Sequence, residues 1–576
     1  MGLVVLALIT VTLAFGRRAW ARLRGRPLPR LHVRHPAPLV ATGPRQDGEV
    51  LVVGAGPSGL MTAALLVRQG VAVRVIDAGA GPSTESRAFA VQARTIELFR
   101  SLGLADELLA HGVIDTGILF HFRGRPAGGL DFDRAHAADT PYQFILMAPQ
   151  SEVEQILLAD LARHGLSVER GTRLESFTQD QDHVRVRLNS GDLTCRYIVG
   201  ADGAHSTVRK QLGLDFQGDG YAQRFLLADC RVEWPFDHTS FRIFMAGDRI
   251  GLFLPLDGTN RSRVMTNDPG DGTGPLTLDE LQTELRAATA VPVTLTDPVW
   301  TTRYQAHLRQ AARYRVGRGF LVGDAAHIHS PAGGQGMNTG LQDAANLAWK
   351  LAAALHAGAG DALLESYHDE RHPVGVELLR FTDRLFTVAA GLHGWRARLR
   401  DRIGPFLVRR ASVMPLPHRK AFRRLSQIGL AYRTGPYVVN DLLHSLRGPW
   451  AGQRAPDARI RTGRQMFDLL SGYRLHVVAL SRKPLDDATI SDLAAGLAGT
   501  SFHLVARVVC RSDERVELVD SAEVFDAYGL RGNESQALYV IRPDGYVAWR
   551  CDELDVDACR AFLARVHIPV DQEIPA

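Results

Sequence analysis

Residues 49–77 read EVLVVGAGPSGLMTAALLVRQGVAVRVID. Val50 to Val53 is a short apolar run that suits a buried parallel strand. Gly54, Gly56 and Gly59 follow with the spacing G-x-G-x-x-G. The first glycine permits a tight turn, the second lets a pyrophosphate approach the backbone, and the third lets helix and strand pack closely. A helix opening there presents free N–H groups and a positive dipole end to that anion. Val71 to Ile76 is a second β-rich run. Asp77 ends it, 21 residues after Gly56, where a ribose hydroxyl needs an acceptor. The stretch predicts a βαβ unit that binds a dinucleotide, and by itself it is open to both FAD and NAD.

The surrounding chain bounds the answer. At 576 residues it is too long for one ordinary domain. The net charge of +5 is unevenly spread: residues 1–46 carry eight arginines and no acid, and the remainder carries 59 basic against 62 acidic residues. That pattern is not a nucleic-acid footprint, so no nucleic-acid partner is expected. Five cysteines form no C-x-x-C pair, which argues for a reducing compartment and against a disulfide framework or zinc site. No metal is expected.

Gly2 to Gly16 is apolar and uncharged, and Arg17, Arg18, Arg22, Arg24 and Arg26 follow. A helix of that length reaches only ~22 Å, short of the ~30 Å hydrocarbon core. Ala19, Trp20, Ala21 and Leu23 extend it if the arginines snorkel. Residues 1–26 are therefore expected to be a membrane anchor that holds the body on the cytoplasmic side. A secretory signal fits less well, lacking a basic segment before the apolar run and a small-residue cleavage site. A start codon placed too early is the third reading, and it leaves the chain soluble in the cytoplasm. Residues 27–47, rich in proline, read as a linker.

Downstream, Arg87 lies on the loop after the second strand, where a cation can meet a phosphate. Residues 116–147 are β-rich and irregular, and Gln150 precedes the helix SEVEQILLADLARHG. Tyr197 to Gly200 is a strand leading into ADGAHSTVRK, with Asp202 and Gly203 at a strand-to-helix turn. Residues 221–268 alternate like an antiparallel sheet, which suggests a substrate domain inserted in the α/β pattern. Phe320 to Val322 is another buried strand, ending in Gly323–Asp324. Pro331 to Gly336 is too glycine-rich for regular structure, and a long helix starts at Met337, a second place for an anion at a helix N-terminus. Residues 376–450 are helical and basic in patches. After residue 451 the order is strand, helix, strand, a hairpin turning at Pro543–Asp544–Gly545, and a helix, which is the order of a thioredoxin-like fold. With no C-x-x-C, thiol redox chemistry is not expected there.

Three motifs occur in order: GAGPSG at 54–59, DGAHSTVR at 202–209 and GDAAHIHSPAGGQGMNTGLQDAANLAWKL at 323–351. Together they resemble the group A flavoprotein monooxygenases, the para-hydroxybenzoate hydroxylase-like aromatic hydroxylases. AGQRAPD at 451–457 and YVIRPDGYVAWR at 539–550 resemble the phenol hydroxylase and polyketide hydroxylase subgroup. The resemblance covers residues 48–576 and is silent on the first 47. It implies an α/β fold: an FAD-binding Rossmann-like domain of glutathione reductase type, an inserted antiparallel β-sheet substrate domain, and a C-terminal thioredoxin-like domain. The boundaries expected are 48–400 for the FAD-binding domain, with the sheet at about 116–147 and 216–309, then 401–450 as a helical connection and 451–576 as the last domain.

By the same resemblance, Gly54, Gly56 and Gly59 cradle the FAD pyrophosphate and Asp77 holds the adenosine ribose. Arg87 and Gln150 match positions at the FAD phosphate and ribityl regions. Asp202 and Gly203 match a motif used for both FAD and NAD(P)H. Asp324 matches the acid on the ribityl chain, and Gly336, Met337 and Asn338 the loop at the flavin pyrimidine edge. The implied reaction uses NAD(P)H and molecular oxygen to hydroxylate a small phenolic or polycyclic aromatic substrate through a flavin C4a-hydroperoxide. Tyr142, Tyr221, Arg303, Tyr304 and His307 are candidates for substrate contact, and none is assigned as catalytic. His327 and His329 are taken as loop-packing residues. An epoxidase or other flavin oxidoreductase of the same fold is the first rival, and a non-enzymatic membrane-tethered flavoprotein the second. A homodimer is left open.

Overall fold

The computed structural model describes residues 48–565, apart from 83–87, 116, 136, 138, 219, 269, 271–273, 329–333, 390–393, 434, 436, 442–446, 461–463, 499, 509–521 and 534. The expected anchor and linker, Arg87, His329 and Pro331 lie outside the described residues.

The βαβ unit sits at the centre of a six-stranded sheet. Its first strand, β1 (Val50–Val53), is buried along its whole length. It pairs in parallel with β2 (Val73–Asp77) on one side and with Tyr197–Gly200 on the other. Val168–Arg170 extends the sheet beyond β2, and Gly319–Leu321 and Arg315–Val316 extend it the other way. Burial on both faces explains the continuous apolar runs in β1, in Tyr197–Gly200 and around Phe320. Between β1 and β2 lies α1 (Pro57–Arg68), with proline at its start, where a missing N–H costs nothing.

The substrate domain is a seven-stranded sheet. Its order is Thr294–His307, Gly220–Glu233, Arg261–Asp268, Arg249–Pro255, Phe241–Ala246, Gly117–Phe122 and Arg125–Asp131. It is not wholly antiparallel, because Phe241–Ala246 runs parallel to Gly117–Phe122. Those two strands come from separate stretches of chain, so no hairpin dictates their direction. The sheet takes only residues 117–131 of the expected 116–147. Ile145–Met147 joins a separate small sheet with Ala90–Val91 and Val113–Asp115. On one face Leu226, Ala228, Cys230 and Val232 pack against Leu281 and Leu285 of α2 (Leu278–Thr289). The opposite face carries Phe225, Leu227, Ile250 and Met265, with Trp300 and Tyr304 beside them. This face turns towards the FAD-binding domain, where Arg263 lies over the Phe89 ring at 5.1 Å.

The long helix α3 (Gly336–His356) packs on α1. A Cβ on Gly340 would lie 2.9 Å from Gly323 Cα and would also strike Ser58, so only glycine lets these backbones approach. That contact brings two glycine-rich turns, nearly 300 residues apart, side by side. After α3 come α4 (Asp361–Ala389), α5 (Trp395–Ala411) and α6 (Pro415–Leu425). The C-terminal domain is a five-stranded sheet in the order Val439–Asp441, Val547–Cys551, Gln536–Ile541, His476–Leu485, Ser501–Val508. With the helices Asp487–Gly496 and Val556–Arg565 it has the thioredoxin-like order. Its sheet begins earlier than residue 451, because Val439–Asp441 pairs with Val547–Cys551.

Candidate functional site

The site is built from the turns at the strand ends. Gly54 has φ +104°, and a Cβ there would run into the Ala201–Asp202 backbone. A Cβ on Gly59 would lie 3.1 Å from Ala201 Cβ and press on Gly54. A Cβ on Gly56 would meet nothing within 4 Å. Two of the three glycines therefore serve packing, and the middle one faces open space. Gly56 is also the N-cap of α1, with no side-chain cap, so the first-turn N–H groups face that space.

Asp77 is held beside this turn. Its Oδ2 accepts from the Ala55 N–H at 2.7 Å and its Oδ1 from the Gly79 N–H at 2.8 Å. The side chain keeps 23% exposure, with Arg170 at 3.5 Å. Gln150 holds Ala88: its Oε1 accepts from the Ala88 N–H at 3.3 Å, and its backbone N–H donates to the Ala88 carbonyl at 3.1 Å.

The second motif forms the expected strand-to-helix turn, between Tyr197–Gly200 and Thr207–Gln211. The Asp202 carboxylate, pushed up by burial, accepts from Ser206 Oγ at 2.5 Å, Thr207 N–H at 2.7 Å and Val208 N–H at 3.1 Å. It caps the short helix Thr207–Gln211. Gly203, with φ +73°, makes the turn. Arg209 is the last residue of the second motif. Its guanidinium donates to the Ala325 and Ala204 carbonyls, each at 2.9 Å, and ties the second motif to the third.

In the third motif Asp324 is exposed while Val322, Gly323, Ala325 and Ala326 around it are buried. A carboxylate at the surface of an otherwise buried turn is placed to meet a polar chain. The N-cap of α3, Gln335, makes no side-chain cap either. Gly336, Met337 and Asn338 form the first turn, whose N–H groups have no intrahelical acceptor. The Asn338 side chain points into the protein. Its Oδ1 accepts from Gln92 N–H (2.8 Å) and Thr95 Oγ1 (2.7 Å), and its Nδ2 donates to the Ala90 (2.7 Å) and Gly334 (2.8 Å) carbonyls. The whole residue is buried, so its side chain holds the turn from inside.

Behind the loop, His327 Nε2 lies 2.7 Å from Asp343 Oδ2, and Arg371 Nε donates to Asp343 Oδ1 at 2.7 Å. Burial pushes the Asp343 carboxyl up, and Arg371 and His327 more than offset it, holding it below the usual range. The Gly323 N–H also donates to this carboxylate, at 3.2 Å. His327 and the Gly323 turn thus share one buried carboxylate.

Four of the five substrate candidates have described side chains, and Tyr304, Arg303 and Tyr142 among them lie in three different places. Tyr304 lies on the inward face of the sheet, 5.7 Å from the Phe225 ring. Arg303 lies on the α2 face, bonded to Asp268 at 3.1 Å, to Glu280 and to the Gly274 carbonyl. Tyr142 is buried against Arg100 and Asp457 at the junction with the C-terminal domain, and burial pushes its hydroxyl up. His307 is half-buried at the end of its strand, and its Nδ1 has no hydrogen-bond partner among the described residues. Tyr221 lies in the strand Gly220–Glu233. Sequence reading passed over a cluster on the inward face. Arg263 binds Asp229 through two hydrogen bonds of 2.7 and 2.8 Å, and Trp300 Nε1 donates to the same carboxylate at 3.0 Å. Strand alternation alone carried a signal for it, since a charged pair on an apolar face is unusual.

Comparison with known proteins fits this geometry. Residues 47–382 match the family described as FAD binding domain, and residues 448–567 the family described as aromatic-ring hydroxylase, C-terminal. The chain is 33% identical to pentachlorophenol 4-monooxygenase of Sphingobium chlorophenolicum, over 92% of this chain and 99% of that one. It is 38% identical to 6-methylpretetramide 4-monooxygenase of Streptomyces rimosus, over 92% and 96% respectively. The chain belongs to the FAD-dependent aromatic-ring monooxygenases. A solved ternary complex of aklavinone-11 hydroxylase with FAD and aklavinone superposes with a TM-score of 0.70 at 28% identity, covering 91% of this monooxygenase and 99% of that chain.

The residues present fit FAD. Gly56 faces open space, Asp324 is exposed in a buried turn, and two helix N-termini lack side-chain caps. The monooxygenase uses FAD, a reduced nicotinamide co-substrate and oxygen. Among its described residues no helix is long and apolar enough to cross a membrane.

Proposed function

We propose that this monooxygenase hydroxylates a phenolic or polycyclic aromatic ring between the inward face of the seven-stranded sheet and the first turn of α3. The observation that carries this is the composition of that face. Phe225, Leu227, Ile250 and Met265 are buried apolar residues flanked by Trp300 and Tyr304, and the charges of Asp229 and Arg263 neutralise each other. Such a surface suits a flat, weakly charged ring. The named substrates of two relatives, a chlorinated phenol and a pretetramide, are in keeping with that class.

FAD, when bound, supplies the redox chemistry that activates oxygen. This chain's part is placement and electrostatics. The α1 N-terminus and Gly56 receive the pyrophosphate, and Asp77 and Asp324 accept from hydroxyls along the cofactor. The N–H groups of Gly336, Met337 and Asn338 would offer the positive end of α3 to negative charge on a reduced flavin. Asn338 holds that turn rigid through its four internal bonds. The apolar sheet face excludes water from the reacting ring.

Turnover of a panel of phenols and polycyclic aromatics with NADPH under oxygen-18 tests this reading. One labelled oxygen per hydroxylated product is expected. A labelled epoxide favours the same-fold rival, and NADPH oxidation without label in any product overturns hydroxylation.

We also propose that residues 1–26 tether the enzyme to the cytoplasmic side of a membrane. The support is the uncharged run Gly2 to Gly16 followed by five arginines within ten residues. Deleting residues 2–26 then moves the protein from the membrane to the soluble fraction after a high-salt wash, which releases proteins held only by surface charge. Identical fractionation before and after deletion rejects the tether.

A further inference from the structure

The described chain exposes seven large hydrophobic side chains, and six of them lie between residues 395 and 414. Single exposed apolar residues are ordinary, but a concentration of this kind marks a contact surface. Four are on α5: Trp395 is 68% exposed, Leu399 46%, Ile403 41% and Phe406 66%. Their spacing of four, four and three residues puts them on one stripe of the helix. Val413 and Met414 continue the patch just past its end.

The stripe is opposite the face by which α5 packs. Ala397, Asp401, Val408 and Ala411 are its buried residues. Gly404 lets the helix lie close on the sheet, because a Cβ there would be 2.6 Å from Phe122 Cε1. Asp401 turns inward and accepts from the Gly247 N–H at 2.7 Å, while Arg400 donates to the Gly247 carbonyl at 2.7 Å. The helix is thus fixed on the protein by its inner face, and its outer face is apolar from Trp395 to Phe406, with exposed Arg410 beyond it.

Arginines border the stripe. At 100° per residue, Arg398, Arg402 and Arg409 run along one edge and Arg396 along the other, and all four are exposed. Residues 395–425 hold nine arginines and one lysine against a single acid, the inward-turned Asp401. Arg419, Lys420 and Arg424 of α6 are also exposed.

We propose that α5, with the exposed cations of α6, is a docking surface for an anionic lipid bilayer. The partner must be negatively charged at its surface and apolar just beneath, and a bilayer with anionic headgroups has that order. A second copy of this chain would bring an equally basic helix to the patch, with like charges facing. A nucleic acid would meet the arginines but leave the Trp395–Phe406 stripe in water. Docking also gives the enzyme an orientation. Phe122, under α5, pairs with Met245 on the inward side of the sheet, so this edge of the substrate face lies next to the bilayer, where apolar rings partition. The inference does not rest on the tether, since α5 belongs to the folded body.

The test uses the full-length flavoprotein and vesicles of phosphatidylcholine, with and without phosphatidylserine, carrying brominated acyl chains. Trp395 is the reporter: anionic vesicles should quench a fluorescence component that Trp395→Phe lacks. Leu399→Glu with Phe406→Glu should weaken binding to anionic vesicles by roughly tenfold or more, with flavin content and turnover in solution retained. The chain lacking residues 2–26 should still show the Trp395 quenching. Loss of it in that deletion, or its absence in the full chain, overturns the proposal. A double variant that turns a dimer into a monomer and leaves vesicle binding unchanged also overturns it, and assigns the patch to a second copy.

Discussion

Arg542, at the hairpin of the C-terminal domain, donates hydrogen bonds of 2.7 and 2.9 Å to the two carboxylate oxygens of Glu370 on α4, 172 residues earlier. Both side chains are buried, and Lys350 and Asp544 complete the cluster at 2.8 Å from Glu370 and 2.5 Å from Arg542. The last domain is therefore locked to the flavin-binding domain by charge rather than appended to it. Burial pushes the Glu370 carboxyl up, but Arg542 and Lys350 more than offset this and hold it at about 2.

Arg542→Met leaves Glu370 buried with a weaker partner set, and should destabilise the protein by about 3–5 kcal/mol. The sign of the pH effect follows from the lowered carboxyl. The stability that Glu370 contributes is present above its unfolded value of 4.5 and is lost as pH falls through about 2. Removing Arg542 raises the folded value, so the acid-unfolding midpoint should move to higher pH. Circular dichroism during acid titration reads the shift, and an unchanged midpoint would show that Arg542 is not what holds Glu370.

Gly56 and Gly59 should respond differently to a side chain. Gly56→Val places its methyls in open space, so the fold should persist while FAD is lost. Gly59→Ala drives a methyl against Gly54 and Ala201, so stability itself should fall, by about 1–3 kcal/mol. Absorbance near ~450 nm, where a bound flavin is expected, and a melting curve on each variant separate the two effects. Retained flavin in Gly56→Val would remove this turn from the cofactor site.

Asn338→Ala abandons the Gln92 and Thr95 donors and the Ala90 and Gly334 carbonyls inside the protein. A cost of about 2–4 kcal/mol is expected for such orphaned groups. Because that side chain holds the first turn of α3, flavin affinity should fall with it. Equilibrium dialysis of FAD against wild type and variant measures this. Equal affinity would mean the turn is held by other contacts.

Arg263 and Arg303 of the substrate sheet should separate by face. Arg263→Ala leaves the Asp229 carboxylate without its guanidinium on the inward side, next to Phe89 and the Ala88 carbonyl. A larger share of NADPH oxidation should then yield peroxide in place of hydroxylated product. Arg303→Ala, on the α2 side, should leave that ratio unchanged. Product and peroxide measured per NADPH consumed decide between them, and equal effects would undo the assignment of faces.

Much of this protein is local and was legible in its residues. The glycine spacing at 54–59, Asp77 at the strand end and the apolar β1 follow from short-range sterics and burial, which repeat wherever a βαβ unit holds a nucleotide. The thioredoxin-like order was readable for the same reason. The sequence also placed a helix start at Met337, next to the observed start at Gly336. It was silent on what the Asn338 side chain does there, because its four partners lie up to 248 residues away. Tyr142 and Arg303 looked eligible for substrate contact until pairing assigned one to a domain junction and the other to the outer face of a sheet. The face a strand residue occupies depends on register, and register is set by partners distant in the chain. The same holds for Arg542 and Glu370, and for the Trp395–Phe406 stripe, whose apolar spacing is visible in sequence. Only the packing of Ala397, Asp401 and Val408 against the body shows that the stripe points outward.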